Sequence, residues 1–341
     1  MSDGDNIVLR ALEDKDVPGA VALMTASLGP GPGGVDREAL FRWKHLANPF
    51  GRSIAFVAER DAEVVGLRTF MRWRFARSGE GGEVLAVRAV DTATARDVRR
   101  QGVFSRLTTR ALDATQSEGA AFIFNTPNDR SLPGYRKLGW QQLPDRRLRM
   151  RARRPRKLLA AVARRDLRSG LAIEPPAGSG LVPMEEFLAD TRALAVFAGA
   201  KPEQGRLFTP RWEAYLRWRY GACPLPYAAV SEGSPPSALV IVRLRERGSL
   251  REVVVCEAVC EPGSERALQG LLGRVPRIAE ADHAITHVGE GWGAARILPR
   301  AGYLPVPRAG MHFVVRPVAR SHPDPLKEES WALALGDLEL F

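Results

Sequence analysis

Two stretches of this sequence recur. Leu40–Phe50 (LFRWKHLANPF) matches Tyr215–Leu225 (YLRWRYGACPL): both carry Arg-Trp-basic, with a proline six residues after the tryptophan. Each is followed by a strand-like run ending Val-x-Glu, at Val57/Glu59 and Val230/Glu232. A second pair, Ser131–Pro144 (SLPGYRKLGWQQLP) and Ala295–Pro307 (ARILPRAGYLPVP), aligns Gly139-Trp140 with Gly302-Tyr303 and Pro144 with Pro307, 163 residues apart. Matching ends at similar separation predict two copies of one fold. A chain of 341 residues suits two domains of about 150 each.

Within the first half the pattern reads strand (7–12), helix (15–27), helix (37–46), then strands at 54–59, 63–75 and 84–94. A helix over 102–116, a strand over 121–125, a short helix over 129–138 and a strand from Trp140 follow. Gly29–Gly34 (GPGPGG) is a loop, Ser78–Gly82 (SGEGG) a hairpin turn, and Pro175–Gly180 (PPAGSG) a domain boundary. Strands interleaved with helices imply a mixed α/β sheet. Hydrophobic residues at 45% supply sizeable cores.

The net charge of +11 is concentrated: 145–168 holds eleven Lys or Arg against two Asp. That stretch lacks interleaved aromatics and matches no nucleic-acid module, so it reads as a solvated basic connector and nucleic acid is not expected as a partner. The residues Met1–Asn6 are polar and acidic, and no run approaches the roughly 18 apolar residues of a membrane span; a cytoplasmic protein without membrane contact is expected. Cys223, Cys256 and Cys260 form no ligand set with the scattered His45, His283, His287, His312 and His322, so no metal is expected.

Chemistry concentrates in Ala89–Leu107 (AVDTATARDVRRQGVFSRL). A strand ends near Thr94, a helix begins near Gly102, and Arg99-Arg100-Gln101-Gly102-Val103-Phe104 lies between. Such a junction leaves backbone amides unpaired at the positive end of a helix dipole, which suits a pyrophosphate. Gly102 permits close backbone approach. A second segment carries Asn128, Ser131, Gly134, Tyr135, Lys137, Gly139 and Trp140.

Together the two segments resemble the GNAT superfamily of N-acetyltransferases. Its acetyl-CoA loop, Q/R-x-x-G-x-G/A, is met by Arg99 and Gly102, with Phe104 in place of the final small residue. Its later helix, N-x-x-A-x-x-L-Y-x-K-x-G-F, is met at Asn128, Tyr135, Lys137, Gly139 and Trp140. The resemblance covers about 7–148. It implies that the amides of Arg99, Arg100, Gln101, Gly102, Val103 and Phe104 hold the pyrophosphate. Asp91, Thr92 and Ala93 would pair with the pantetheine arm, and Asn128 would contact the cofactor near its sulfur. Tyr135 matches the family's general acid, which protonates the departing CoA thiolate; an ordinary tyrosine, with a pKa near 10, stays protonated at neutral pH. For the base, Asp91 and Glu83 are the acids nearest the cofactor strand and Glu59 ends an earlier one; a water-mediated base is equally open.

The second half lacks this machinery. Leu298 stands where Tyr135 would, and Cys260–Gly270 (CEPGSERALQG) has no Arg-x-x-Gly loop. The layout is similar to the mycobacterial enhanced-intracellular-survival acetyltransferases, with a working first domain and a degenerate second. It divides as 1–150 (catalytic GNAT domain), 151–170 (basic connector), 171–318 (degenerate GNAT-like domain) and 319–341 (tail). Each domain is expected to be a mostly antiparallel sheet flanked by helices. The tail's Trp331, Leu333, Leu335, Leu338 and Leu340 suggest a docked segment whose terminal carboxylate approaches the active site as a base. The expected reaction is direct acetyl transfer from acetyl-CoA to a small-molecule primary amine. A non-catalytic acyl-CoA binder and an aminoacyl transferase on paired domains are the alternatives, and homo-oligomerisation stays open.

Overall fold

The computed structural model describes residues 7–167 and 170–339. Its first strands are β1 (Val8–Ala11), β2 (Ile54–Arg60), β3 (Glu63–Arg77), β4 (Glu83–Thr94), β5 (Phe122–Asn125) and β6 (Gln141–Ala152). There follow β7 (Ala172–Ile173), β8 (Val182–Pro183), β9 (Leu207–Phe208), β10 (Ala228–Glu232), β11 (Ala238–Arg247), β12 (Leu250–Cys260), β13 (His283–Thr286) and β14 (Leu304–Pro317). The helices are α1 (Val17–Leu28), α2 (Arg37–His45), α3 (Val103–Ser117), α4 (Leu132–Lys137), α5 (Pro155–Ala163) and α6 (Met184–Phe187). After them come α7 (Thr191–Gly199), α8 (Glu213–Leu216), α9 (Glu265–Ile278), α10 (Gly293–Ile297) and α11 (Leu335–Leu338).

One mixed sheet runs β1-β2-β3-β4-β5-β14-β6-β13-β12-β11-β10-β8, with β7 on β11 and β9 on β3. Only β4–β5 and β12–β13 are parallel among the described pairs; the others are antiparallel. The order contains an exchange. β14, the last strand of the chain, closes the first sheet against β5, while β6 leaves that sheet to pair with β13. The two exchanged strands meet side by side and make the sheet continuous.

The repeated residues sit at this junction and mirror one another. The Trp43 and Trp218 rings stack at 4.8 Å, and each indole N–H donates to the other's carbonyl, at 2.7 and 2.9 Å. Arg316 donates to the carbonyl of Leu138, and Arg151 to that of Ala301. These contacts explain the two repeated glycines: Gly139 and Gly302 both have positive φ (90° and 82°), and a Cβ at either would strike the arginine from the exchanged strand. Trp140 and Tyr303, the aromatics that follow, are both buried.

Helices α3 and α4 cover one face of the first sheet through Val87, Ala111, Tyr135 and Trp140. Helices α9 and α10 do the same for the second through Leu268, Leu272 and Ile297. A third core, containing Trp73, Phe124, Tyr215, Trp218, Val254 and Trp331, joins the halves.

Within the basic stretch expected as a connector, β6 runs on to Ala152 and α5 occupies 155–163. Part of its charge serves this structure, since Arg154 and Lys157 pair with buried Asp282 at 3.1 and 2.7 Å. The tail is docked, with Trp331, Leu333, Leu335 and Leu338 buried. Leu340, Phe341 and the terminal carboxylate lie outside the described residues, as do Met1–Asn6. Among those described, no helix is long and apolar enough to cross a membrane.

Candidate functional site

Strand β4 pairs with β5 only over Ala86–Arg88. Beyond that point β4 continues alone on its β5 side as far as Thr94, so the two parallel strands splay into a cleft. A bulge falls inside it. The β3–β4 register slips between Arg68 and Thr69, leaving Asp91 as the extra residue at φ 34°. Thr69 Oγ1 locks the bulge by donating to the carbonyls of Val90 and Asp91, at 2.9 and 3.1 Å.

At the end of β4 the chain turns through 95–102 into α3. Arg100 and Gly102 adopt left-handed conformations, φ 67° and 75°, which fold the turn's amides toward one side. The amides of 100–105 have no backbone acceptor within hydrogen-bond geometry among the described residues, while Arg106 begins the helical ladder by donating to Gly102. A Cβ on Gly102 would meet nothing within 4 Å, so the turn opens to solvent. The side chains brace it: Arg99 Nε donates to the Thr94 carbonyl and Gln101 to that of Asp97, both at 3.2 Å. No acid occupies the first turn of α3. The turn thus leaves donors free at the start of α3, as an anion site would require, and its one acid, Asp97, is paired with Arg60.

Tyr135, on α4, is 4% exposed and packs edge-on against Trp140 at 5.2 Å. Its hydroxyl accepts from Arg68 Nη1 at 3.1 Å. A guanidinium can only donate, so the phenol's own hydrogen remains available to another acceptor. Asn128 spends its side-chain oxygen locally, accepting from the amides of Arg130 and Ser131 at 3.1 and 3.0 Å where α4 begins.

Asp91, one of the candidate bases, is held by two neighbours. Its Oδ2 lies 2.6 Å from Lys44 Nζ and 2.9 Å from His45 Nε2, and His45 Nδ1 contacts Ser53 Oγ at 2.8 Å. Burial alone would raise the Asp91 carboxyl, but the Lys44 charge and the His45 hydrogen bond outweigh it and hold it well below the usual carboxylate range. Burial lowers His45, with the Asp91 hydrogen bond offsetting part of the effect, so the imidazole is neutral at neutral pH. A carboxylate held this way accepts protons poorly. Glu83 and Glu59 are likewise engaged, with Arg74 and Arg10. Lys44, His45 and Arg68 were not read as site residues from the sequence; the first two are buried on α2 and meet Asp91 only in space.

The mouth of the cleft is met by the tail. Arg88, the last residue of β4 paired with β5, donates to the carbonyls of Asp337 and Leu338 and to Thr126 Oγ1. Arg211 bridges Glu257 and Asp337, each at 3.0 Å, and Arg219 donates to the carbonyls of Gly336 and Glu339. Among the described residues no His, Cys, Asp or Glu group is arranged to hold a metal ion.

Comparison with known proteins bears on this cleft directly: residues 8–143 match the acetyltransferase (GNAT) domain family. This region is a GNAT domain. The whole fold is similar to solved structures as well. One is a probable N-acyltransferase from Enterococcus faecalis, at 14% identity and TM-score 0.60, covering 92% of this chain and 73% of that one. Another is Eis1 from Mycobacterium abscessus, at 15% identity and TM-score 0.54 with the same coverage. A third is Saccharomyces cerevisiae N-myristoyltransferase, solved with myristoyl-CoA, at 12% identity and TM-score 0.57, covering 94% and 82%. At such identities the likeness is one of fold. No curated protein matches the sequence.

Proposed function

We propose that the chain transfers an acetyl group from acetyl-CoA to a small-molecule primary amine by direct attack, with the GNAT domain as the working half. The observation that carries this reading is the open turn at 95–102, whose amides of 100–105 have no backbone acceptor, together with the buried Tyr135 whose hydroxyl accepts from Arg68. The residues fit a CoA-like ligand. Unpaired amides at a helix N-terminus favour a diphosphate, and the free side of β4 at 91–93 offers backbone partners to an amide-bearing arm.

A bound thioester supplies an activated carbonyl; the protein's residues handle position and protons. As the amine's N–C bond forms and the C–S bond breaks, the phenol of Tyr135 gives its hydrogen to the sulfur, and Arg68 Nη1 stabilises the oxygen left behind. The amine loses its own proton to water or to a group at the cleft mouth. Asp91 fixes the bulge through Lys44 and His45 and acts as a positioning residue.

Tyr135→Phe tests the reading. It should leave CoA affinity unchanged and slow thiol release by at least about tenfold, the lower side of a general acid's contribution. Unaltered turnover removes Tyr135 from the reaction.

A further inference from the structure

Arg68 is a buried cation of which the reaction just described uses only one nitrogen, Nη1. It lies in β3 opposite Thr92, is 0% exposed, and carries its guanidinium over the rings of Phe70, Tyr135 and Phe104 at 4.7, 5.3 and 5.5 Å. Nη1 donates to Tyr135, but Nε and Nη2 find no acceptor among the described residues, and no carboxylate there lies within ion-pair distance. Arginine cannot shed its charge to relieve this, and the three rings replace neither missing hydrogen bond. Other buried arginines are served differently. Arg88, Arg211 and Arg219 are clamped on carbonyls or carboxylates. Arg146 leaves the same two nitrogens open but has Glu328 at 3.6 Å.

The two open nitrogens form the side edge of the guanidinium, whose parallel N–H groups match the two oxygens of a carboxylate. We propose that this edge is an anion subsite at the reacting end of the cleft, taken by the terminal carboxylate of a dicarboxylic acyl donor, a malonyl or succinyl thioester. The inference rests on the proposed placement of the thioester sulfur beside Tyr135: the same guanidinium donates to that hydroxyl at 3.1 Å, which puts its unpartnered edge beside the reacting end. The bonds made and broken are those of acetyl transfer, and the distal carboxylate does not react. The diphosphate of CoA is the other source of paired oxygens, because Phe104 belongs to the first turn of α3.

The experiment compares succinyl-CoA with butyryl-CoA, its uncharged counterpart of equal chain length, and with free CoA. Affinity is read by calorimetry and thiol release is measured with an amine panel, for the native protein and for Arg68→Met. The native protein should favour succinyl-CoA over butyryl-CoA at least tenfold. Arg68→Met should abolish that preference while keeping free CoA affinity within twofold. Indifference of the native protein overturns the inference. An equal loss for all three ligands in Arg68→Met also overturns it, assigning the edge to the diphosphate. The native succinyl/butyryl affinity ratio decides the matter even where Arg68→Met does not fold or no amine is turned over. A failure of Tyr135→Phe to slow turnover is read separately.

Discussion

The junction between β4 and α3 and its counterpart between β12 and α9 begin from the same geometry and end in opposite states. In the first, 95–102 forms a long turn with left-handed residues and open amides, and α3 starts without an acid. In the second, 261–264 is all that separates strand from helix, and Glu265 enters the first turn of α9. Its carboxylate accepts from the Gly263 amide at 3.2 Å, placing the protein's own negative charge where a ligand's would sit. The later helices differ in kind too: Tyr135 offers a hydroxyl, whereas Leu298 is buried hydrocarbon, and the Tyr303 hydroxyl donates to the Leu272 carbonyl. The difference teaches that a strand–turn–helix frame is common to both halves, while turn length and the charge at the helix end set how many amides are left open.

Substitutions can break this contrast or sharpen it. Asp91→Asn should have the largest effect, because it removes the carboxylate that faces the buried Lys44 ammonium at 2.6 Å; loss of about 3–5 kcal/mol is expected, read as a fall in denaturant midpoint. Gly102→Asp puts a carboxylate at the open turn, imitating Glu265, and should weaken CoA at least tenfold in a calorimetric titration, about 1.4 kcal/mol. Acid should act on the buried imidazoles, His45 in the first half and His287 in the second. Burial pushes His287 down to about 4, so the stability of its neutral form is full above pH 6.5 and is lost as pH falls toward 4. Burial raises Glu252, but its hydrogen bond with His283 and the charge of Arg245 bring it down to about 2, so its contribution fades only below about pH 4.5. Protection of the amides near β12 and β13, corrected for their intrinsic exchange rates, should therefore fall between pH 6.5 and 4, and His287→Gln should remove most of that change. The smallest effect is expected from Glu265→Gln, which frees one amide but leaves the short turn; a CoA stoichiometry that rises would show the turn length to be irrelevant.

Sequence patterns anticipated much of this molecule because helix and strand periods and the two repeated segments are local. The exchange of β6 and β14 is not local: either strand satisfies the hydrogen bonds of either sheet edge, and nothing in Gln141–Ala152 states which edge it takes. The repeat at Trp43 and Trp218 was visible as a pattern, whereas their reciprocal hydrogen bonds require both halves in space. Arg99–Phe104 could be read as an anion turn from its glycine and following helix. Arg68 could not: in LRTFMRWRF it alternates like an outward-facing residue, and α3 and α4 bury it. Asp91 was singled out, but its pairing with Lys44 and His45 follows from a single-residue bulge that no alternation announces.

Hydrogen exchange with and without CoA is the most direct measurement. Ligand should slow exchange at the amides of 100–105 and leave 261–268 untouched. Protection appearing at 261–268, or none at 100–105 under saturating CoA, would contradict the assignment of anion binding to the first half.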